Sequence, residues 1–231
     1  MLKMFCSKSA KSNDELISQL KERREIKSGK IEKVMRLVDR GDFAKDDLYE
    51  DCPQYIGYGA TISAPNIHAF ALEHLEDLLK EGNKVLDVGS GSGYLSTCFA
   101  YLVGKSGQVI GIDHIKELVD WSHSNISKHH SDLLKSKRIQ FIVGDGREGY
   151  AENGPYQAIH VGAAAKKTPQ KLLDQLAPGG KLLIPVYSLS NPGTQTLEQI
   201  EKTEDGQIFR TKLMGVRFVP LTDKEVQWNE D

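Results

Sequence analysis

Apolar residues in the first third of the chain recur every three or four positions, the spacing of one face of an α-helix. This spacing predicts a helix capped by Ser12 or Asn13, a second helix after Gly29, and a third from Pro65 to the closing Gly82. The stretch 39–63 is punctuated by Gly, Pro and Asp. We therefore expect an ordered loop between the second and third helices.

From Lys84 onward, short apolar runs alternate with longer amphipathic segments. The runs KVLDVG, QVIGID, IQFIVGD, YQAIHVGAA and KLLIPV predict strands, and YLSTCFAYLV, HIKELVDWSHSNISKHH and TPQKLLDQL predict helices. Such alternation predicts an α/β fold: a doubly wound, mostly parallel sheet with helices on both faces, preceded by the N-terminal helices. The C-terminal runs TLEQIEKT, QIFRTKLM and VRFVPL predict antiparallel strands at one edge. With no internal repeat or linker, we expect a flexible tail over residues 1–11 and a single domain over residues 12–231.

Composition excludes several classes of protein. The 231 residues are 39% hydrophobic and 27% charged, as in soluble globular proteins. A net charge of −2 gives no electrostatic reason to expect nucleic acid or a membrane as a partner. The N-terminus turns polar at once, and the three cysteines are widely spaced. We expect a cytoplasmic protein with reduced thiols, and no metal site, because no complete ligand set accompanies the histidines.

The strongest chemical signal is the glycine-rich sequence LDVGSGSG at 86–93, between a predicted strand and a predicted helix. Glycines there let the backbone approach a ligand where open α/β sheets bind nucleotide-like molecules. A dinucleotide fingerprint is excluded because its third glycine would stand at Tyr94 or Ser96, and a P-loop because no lysine follows Gly93. The acidic Asp87 suits a cationic ligand better than a pyrophosphate. The alternative is a turn that serves packing alone.

Two other predicted strands also end in an aspartate. Asp113 follows the glycines by about 20 residues, where a carboxylate can bind both hydroxyls of a ribose; its alternative role is to cap the next helix. Asp145 stands between Gly144 and Gly146, where it can accept a hydrogen bond from an adenine amino group. Together the three strand ends predict an adenosine pocket without a phosphate cradle, which fits S-adenosylmethionine.

Further motifs give a specific resemblance. DVGSGSGYL, VIGIDHIKELV, VGDGR and LAPGGKLLIPV resemble the class I S-adenosylmethionine-dependent methyltransferases, which have a Rossmann-like fold. PQYIGYGATISAP, IHAFALE, PYQAIHVGAAA and LMGVRFVPLTDKE narrow the resemblance to the protein-L-isoaspartate (D-aspartate) O-methyltransferases, in particular the animal-type cytosolic repair enzymes. The resemblance extends from about Ser12 to Trp228.

The resemblance implies a monomeric repair enzyme whose substrates are isoaspartyl-containing peptides and proteins. Such an enzyme transfers a methyl group from S-adenosyl-L-methionine to the free carboxylate of L-isoaspartyl and D-aspartyl residues, and S-adenosyl-L-homocysteine is left. The ester then gives a succinimide, whose hydrolysis partly restores aspartate. Because a carboxylate is already ionised at neutral pH, this reaction requires alignment more than a strong base.

The resemblance also implies roles for individual residues. Ser63 corresponds to the active-site serine, and we expect it to orient the substrate carboxylate; its alternative role is to cap the helix that begins near Pro65. No His–Asp pair that would activate this serine is evident nearby in the sequence. The expected cofactor-binding residues are Ala60, Thr61, Ile62, Ser63, His68, Asp87, Gly89, Ser90, Gly91, Asp113, His114, Asp145, Gly146, Thr222 and Gln227.

Thr222 and Gln227 imply that the C-terminal segment folds over the cofactor as a lid. The small residues from Val161 to Ala165 are expected to leave backbone groups free for an extended peptide. The expected substrate-binding residues are Ser63, Val161, Gly162, Ala163 and Ala164. Close packing of small residues is the alternative.

Two other functions remain open. The first is a class I methyltransferase that acts on a small-molecule carboxylate or hydroxyl. The second is an adenosine-binding module without turnover.

Overall fold

The computed structural model describes residues 10–188 and 190–228. Residues 1–9, most of the predicted tail, lie outside the described residues, and so do residue 189 and residues 229–231. The helices are α1 (Asn13–Glu22), α2 (Gly29–Leu37), α3 (Pro65–Leu75), α4 (Tyr94–Leu102), α5 (Lys116–His129), α6 (Ser131–Lys135), α7 (Gln170–Asp174) and α8 (Lys224–Gln227). The strands are β1 (Gln54–Gly57), β2 (Ala60–Ile62), β3 (Lys84–Val88), β4 (Gln108–Asp113), β5 (Ile139–Val143), β6 (Tyr156–Val161), β7 (Leu176–Tyr187), β8 (Gln195–Lys202) and β9 (Ile208–Val216).

The central sheet has seven strands in the order β5-β4-β3-β6-β7-β8-β9. The strands from β5 to β7 are parallel to one another, whereas β8 and β9 are antiparallel additions at one edge. This arrangement confirms the predicted mostly parallel sheet with antiparallel edge strands. The chain runs outward in one direction from β3 to β4 and β5, and in the other direction from β6 to β9. The carboxyl ends of β3 and β6 therefore flank the point where open α/β sheets bind ligands.

Two apolar clusters hold the sheet between its helices. Val85 is buried in the cluster that includes the N-terminal helices and α4, and its neighbour Leu86 is buried in the cluster that includes α7. Successive side chains of a strand point to opposite faces, so a strand covered on both faces is apolar throughout. This requirement explains why β3 shows no alternation before Asp87.

Four predicted elements differ from the structure. The third helix, expected from Pro65 to Gly82, ends at Leu75 and is followed by a single 3-10 turn over Glu76–Leu78. The predicted loop over 39–63 contains a hairpin, because β1 and β2 pair antiparallel around Tyr58 and Gly59, both with positive φ. The predicted helix TPQKLLDQL shortens to α7, and β7 begins at Leu176, the last residue of the predicted helix. The predicted strand VRFVPL is wrong, because β9 ends at Val216 and, among the described residues after it, the only strand pairing is an isolated bridge between Pro220 and Ala164.

Two features bear on the environment of the protein. None of the helices in residues 10–188 and 190–228 combines the length and the apolar character that crossing a membrane requires. Cys98, one of the cysteines expected to be reduced, is a free and buried thiol.

Candidate active site

The glycine-rich turn after β3 brings the ends of three strands close together. Gly89 donates its N–H to the carbonyl oxygen of Ile112 at 2.8 Å, and Gly162 donates to that of Val88 at 2.8 Å. Gly89 has a φ of +73°, and a Cβ on Gly162 would lie 3.1 Å from the carbonyl oxygen of Gly89. Side chains at these two positions would strain the turn and fill the space between the strands. The glycines thus keep a backbone-lined space open.

This space is a cavity at the strand ends, which we call the strand-end cavity. The predicted residues that line it are Ala60, Thr61, Gly89, Gly91, Asp113, His114, Gly146, Gly162, Ala163, Thr222 and Gln227. Val88, Ile112 and the segment from Val219 to Leu221 complete its walls. Apolar walls with one carboxylate suit a ring system that carries hydroxyl groups better than they suit a phosphate chain.

Asp113 supplies that carboxylate. Its Oδ2 accepts the N–H of Gly91 at 3.1 Å, and its Oδ1 accepts the N–H of Ile115 at 3.1 Å. Burial raises the pKa of Asp113, and the two N–H donors act in the opposite direction. The carboxylate therefore fixes the glycine turn and the start of α5, while the remaining lone pairs of its two oxygens can accept ligand hydroxyls. The N-cap of α5 is Ile115, without a side-chain capping bond, so Asp113 is not the cap of this helix, and its geometry is compatible with the ribose role.

The C-terminal segment 219–228 covers the strand-end cavity. The amide oxygen of Gln227 accepts a hydrogen bond from His114 Nε2 at 2.9 Å, and the amide nitrogen of Gln227 donates to the carbonyl oxygen of Tyr58 at 3.0 Å. The Trp228 and Tyr58 rings meet edge to face, with centroids 5.4 Å apart. The segment therefore forms a lid that contacts both the β1–β2 hairpin and the end of β4.

Asp145 differs from the other predicted residues. Its two carboxylate oxygens accept hydrogen bonds from Arg147, with Nε 2.9 and 3.0 Å away and Nη2 2.7 Å away, and these bonds lower the pKa of Asp145. The same guanidinium forms an ion pair with Asp223 at the start of α8. Gly146 lines the cavity, but Asp145 does not. The Asp145 carboxylate therefore acts first as an anchor for Arg147, which ties the lid to the β5 end.

A second cavity, the inner cavity, continues from the first on the side of α3 and α4. The predicted residues that line it are Thr61, Ile62, Ser63, His68, Asp87, Gly89, Ser90, Gly91 and Gly162. Four of them, Thr61, Gly89, Gly91 and Gly162, also line the strand-end cavity. One elongated ligand can therefore contact both cavities. The buried Ser90 Oγ has no hydrogen-bond partner among the described residues, so it is available to a polar ligand group.

His68 is buried in the wall of the inner cavity. Its Nδ1 lies 3.5 Å from Nη1 of Arg40. A guanidinium only donates, so Nδ1 accepts and the neutral ring carries its proton on Nε2. Burial, followed by the charges of Arg40 and His160, holds the pKa of His68 well below its ordinary value, while burial lowers the pKa of Arg40 to about 10. His68 is thus a neutral side chain with one N–H donor that Arg40 does not use.

The sequence did not predict a partner for Asp87. His160 Nδ1 lies 2.8 Å from Asp87 Oδ1, and the hydroxyl of Ser96 donates to Asp87 Oδ2 at 2.5 Å. Asp87 and His160 are opposite each other in the β3–β6 register, and both line the inner cavity. A His–Asp pair is therefore present in the same cavity as Ser63, contrary to expectation. The structure gives no hydrogen bond between Ser63 and His160 within its described residues.

Ser63 lies where the inner cavity meets a third space, which we call the outer groove. The outer groove has a volume of 130 Å³ and is lined by Pro53, Thr61, Ser63, Ala64, Ile67, Met214, Gly215, Val216, Arg217 and Phe218. The N-cap of α3 is Ala64, without a side-chain capping bond, so Ser63 does not cap this helix. Within residues 10–188 and 190–228 the Ser63 hydroxyl has no hydrogen-bond partner. It is half-buried and available to a ligand from either side.

The small residues after β6 are packed more tightly than the expected peptide-binding role requires. The N–H of Ala164 donates to the carbonyl oxygen of Val219 at 2.8 Å, and the carbonyl oxygen of Ala164 accepts from Leu221 at 2.8 Å. Ala165 forms two equivalent bonds with β7, to Pro185 and from Tyr187. These backbone groups are consequently not free for a peptide, because they hold the lid and the edge of the sheet. Val161 and Ala164 line none of the three spaces.

All the expected cofactor-binding residues except Asp145 thus border one of the two connected cavities. The residues that sequence reasoning missed are His160 and the lid residues Val219, Pro220 and Leu221. His160 carried a usable signal, since a histidine inside an otherwise apolar buried strand requires a polar partner. The lid residues carried none, because their sequence is that of an ordinary apolar strand.

Comparison with known proteins assigns the family. The model of the family "Protein-L-isoaspartate(D-aspartate) O-methyltransferase" matches residues 11–226. The protein-L-isoaspartate O-methyltransferase of Caenorhabditis elegans is 50% identical over 223 residues, 96% of this chain and 98% of that protein. The protein-L-isoaspartate O-methyltransferase 1 of Arabidopsis thaliana is 46% identical over the full length of both chains.

A solved structure agrees with these relatives. It is a Plasmodium falciparum protein described as a protein-L-isoaspartate O-methyltransferase in complex with S-adenosyl-L-homocysteine. It superposes with a TM-score of 0.86 at 38% identity, covering 92% of this chain and 99% of that one. The described chain therefore combines a class I methyltransferase fold with an adenosine-type cavity and a serine beside it, and it belongs to the protein-L-isoaspartate(D-aspartate) O-methyltransferase family.

Proposed function

We propose that this chain is a protein repair enzyme that transfers the methyl group of S-adenosyl-L-methionine to the free carboxylate of L-isoaspartyl and D-aspartyl residues. The single observation that carries the proposal is the position of Ser63. Its hydroxyl lacks a partner in the described structure and lies where the inner cavity opens into the outer groove. A carboxylate that enters from the groove meets a neutral hydrogen-bond donor at the boundary of the cofactor cavity.

The residues of the two connected cavities fit S-adenosyl-L-methionine. Asp113 suits the ribose hydroxyls, and the space beside Gly146 suits the adenine ring, since a Cβ there would lie 2.4 Å from Val88 Cγ1. The inner cavity offers the unpartnered Ser90 hydroxyl and the Nε2 proton of His68, both suited to the polar methionine end. Asp87 places negative charge beside that end. His160 and Ser96 hold this carboxylate in place.

The reaction requires the chain to align the substrate carboxylate with the methyl group and to exclude water. S-adenosyl-L-methionine, when bound, supplies an activated methyl group. Ser63 donates a hydrogen bond to one oxygen of the substrate carboxylate and leaves the other oxygen free to react. A neutral donor suits this role because a tightly paired cation would withdraw charge from the nucleophile. The lid formed by residues 219–228 keeps solvent away from the strand-end cavity.

The Asp87–His160 pair has a positioning role in this proposal. The substrate carboxylate is ionised at neutral pH, so no general base is required. Both carboxylate oxygens of Asp87 are engaged by protein donors. We therefore assign the pair to shaping the inner cavity, and Ser63 to orientation of the substrate rather than to covalent attack.

The decisive experiment compares two synthetic peptides that differ only in having an isoaspartyl or an ordinary aspartyl residue. We expect methyl transfer to the first and none to the second. Equal labelling of both peptides would refute the proposal. A methyltransferase for small-molecule carboxylates would instead label free metabolites and ignore both peptides. An adenosine-binding module without turnover would release no S-adenosyl-L-homocysteine in either reaction.

The proposal includes a monomeric enzyme that acts in the cytoplasm and consists of one methyltransferase domain over residues 12–231. The resemblance to the cytosolic repair enzymes supports the monomer. Light scattering after gel filtration tests the monomer, and fractionation of the source cells tests the location. We also keep Gly162 and Ala163, which line the connected cavities, as part of the substrate site; Val161 and Ala164 line none of the three spaces.

A further inference from the structure

Among the residues that the structure describes, Arg217 is the only one with a charged side chain in the lining of the outer groove. The other lining residues are apolar, apart from the small hydroxyls of Thr61 and Ser63 and the backbone at Gly215. The guanidinium is exposed at the start of the segment that joins β9 to the lid. A cation placed in a mostly apolar groove beside the Ser63 hydroxyl suits one class of ligand, namely a carboxylate.

The contrast with the other arginines strengthens this reading. Arg138 and Arg210 each form an ion pair with one carboxylate, and Arg23, Arg36 and Arg147 each form ion pairs with two. The buried Arg40 contacts His68. Within the part of the chain that the structure describes, only Arg24 and Arg217 have no ion pair or side-chain hydrogen bond. Arg24 lies on the surface after α1 and lines none of the three spaces, whereas Arg217 lines one of them.

On the basis of the proposed function, we infer that Arg217 selects substrates that carry a second carboxylate within two residues of the isoaspartyl residue. The reacting carboxylate belongs at Ser63, where the groove meets the inner cavity. Arg217 lines the groove itself, where the neighbouring residues of the peptide lie. An acidic side chain there gains a charge-assisted hydrogen bond with the planar guanidinium fork. The enzyme thus prefers acidic surroundings of the damaged residue.

The test compares the wild-type enzyme with Arg217 and Arg24 variants on a series of isoaspartyl peptides. One parent peptide has Gln at the two positions before and the two positions after the isoaspartyl residue, and each variant carries a single Glu in place of one Gln. For the wild-type enzyme we expect KM to fall roughly threefold for at least one Glu position, the size of effect typical of an exposed ion pair. The preference should weaken as salt is added.

The variant Arg217→Gln should lose most of this preference, and Arg217→Lys should retain part of it because the charge remains. Arg24→Gln is the matched control, since it removes an equally unpaired charge outside the groove and should leave the preference intact. Because both arginines are exposed, each variant should fold, which a thermal melt verifies. The readout is the ratio of KM values for the Gln and Glu peptides, which a loss of folded protein does not change.

Several results would overturn the inference. One is a wild-type enzyme that shows the same KM for every peptide of the series. Another is a variant Arg217→Gln that loses activity equally on the Gln and Glu peptides, which would assign the guanidinium to the reacting carboxylate itself. In both cases the proposed function stands, because isoaspartyl peptides are still methylated. If the wild-type enzyme methylates no isoaspartyl peptide, the proposed function falls and the inference falls with it.

Discussion

The substitution Ser63→Ala separates orientation of the substrate from binding of the cofactor. The Ser63 hydroxyl has no partner in the described structure, and Ala64 rather than Ser63 is the N-cap of α3. Removal of the oxygen therefore breaks no internal bond and adds no atom to a packed region. We expect the free energy of unfolding to change by less than about 0.5 kcal/mol, as for substitutions away from packed features.

The expected loss of activity follows from the bond that Ser63 is free to make. A hydrogen bond to a charged group contributes about 1.5–3 kcal/mol, more than a bond between neutral groups. If the whole of this is lost from the aligned complex, kcat/KM for an isoaspartyl peptide falls about 10- to 150-fold. Cofactor affinity should hardly change, because Ser90, His68 and Asp113 remain in place.

The assay combines steady-state methyl transfer with calorimetric titration of S-adenosyl-L-homocysteine. Ser90→Ala is the matched control. It also removes an unpartnered hydroxyl from the inner cavity, but Ser90, unlike Ser63, does not line the outer groove. This control should weaken cofactor binding and leave kcat at saturating cofactor nearly unchanged. A variant Ser63→Ala that binds the cofactor ten times more weakly, or that turns over at the wild-type rate, would refute the reasoning.

Three other variants test the lid, the ribose site and the buried histidine. Gly59→Ala should weaken cofactor binding about tenfold by calorimetry. The Cβ would lie 2.7 Å from the carbonyl oxygen of Gln227, on a residue with a φ of +67°, and would displace the lid. Unchanged affinity would show that the lid does not depend on close contact between Gly59 and Gln227. Asp113→Asn should weaken cofactor binding and also lower the melting temperature, because one of the two N–H groups held by Asp113 loses its acceptor; a loss of affinity without a loss of stability would contradict the double role. The pKa of His68 lies well below its ordinary value of 6.5 when the chain is folded, so below pH 6.5 the unfolded chain binds the additional proton and stability falls as the pH falls. His68→Gln should therefore reduce the slope of unfolding free energy between pH 6.5 and 5 by up to about 1.4 kcal/mol per pH unit, and equal slopes for the two proteins would argue against a neutral buried His68.

The sequence predicted the parallel sheet, and the strand-end aspartates Asp87 and Asp113 that line the two cavities, for a physical reason. Strands covered on both faces must be apolar throughout, so a lone acidic residue at a strand end, such as Asp87 or Asp113, stands out. Glycines directly after such a strand mark a close approach of the backbone. These are local signals, and they need no knowledge of which strands are neighbours.

The features that sequence reasoning missed depend on distant parts of the chain. The Asp87–His160 pair exists because β3 and β6 are neighbours in the sheet, although 73 positions separate the two residues. The β1–β2 hairpin escaped prediction because Tyr58 occupies a turn position with positive φ where Asn, Asp or Gly is usual. Asp145 was expected to bind adenine, but its carboxylate instead binds Arg147, two residues later, and the same guanidinium also pairs with Asp223 in the lid.

The outer groove and the lid are consecutive parts of one chain segment. Residues 214–218 line the groove, and residues 219–228 close the strand-end cavity. A peptide seated in the groove therefore restrains the segment that must move before the cofactor can enter or leave. We expect the cofactor to bind before the peptide and its product to leave after the methylated peptide. Each turnover then ends when the methylated peptide has left the groove and the lid can open, so that S-adenosyl-L-homocysteine is exchanged for S-adenosyl-L-methionine.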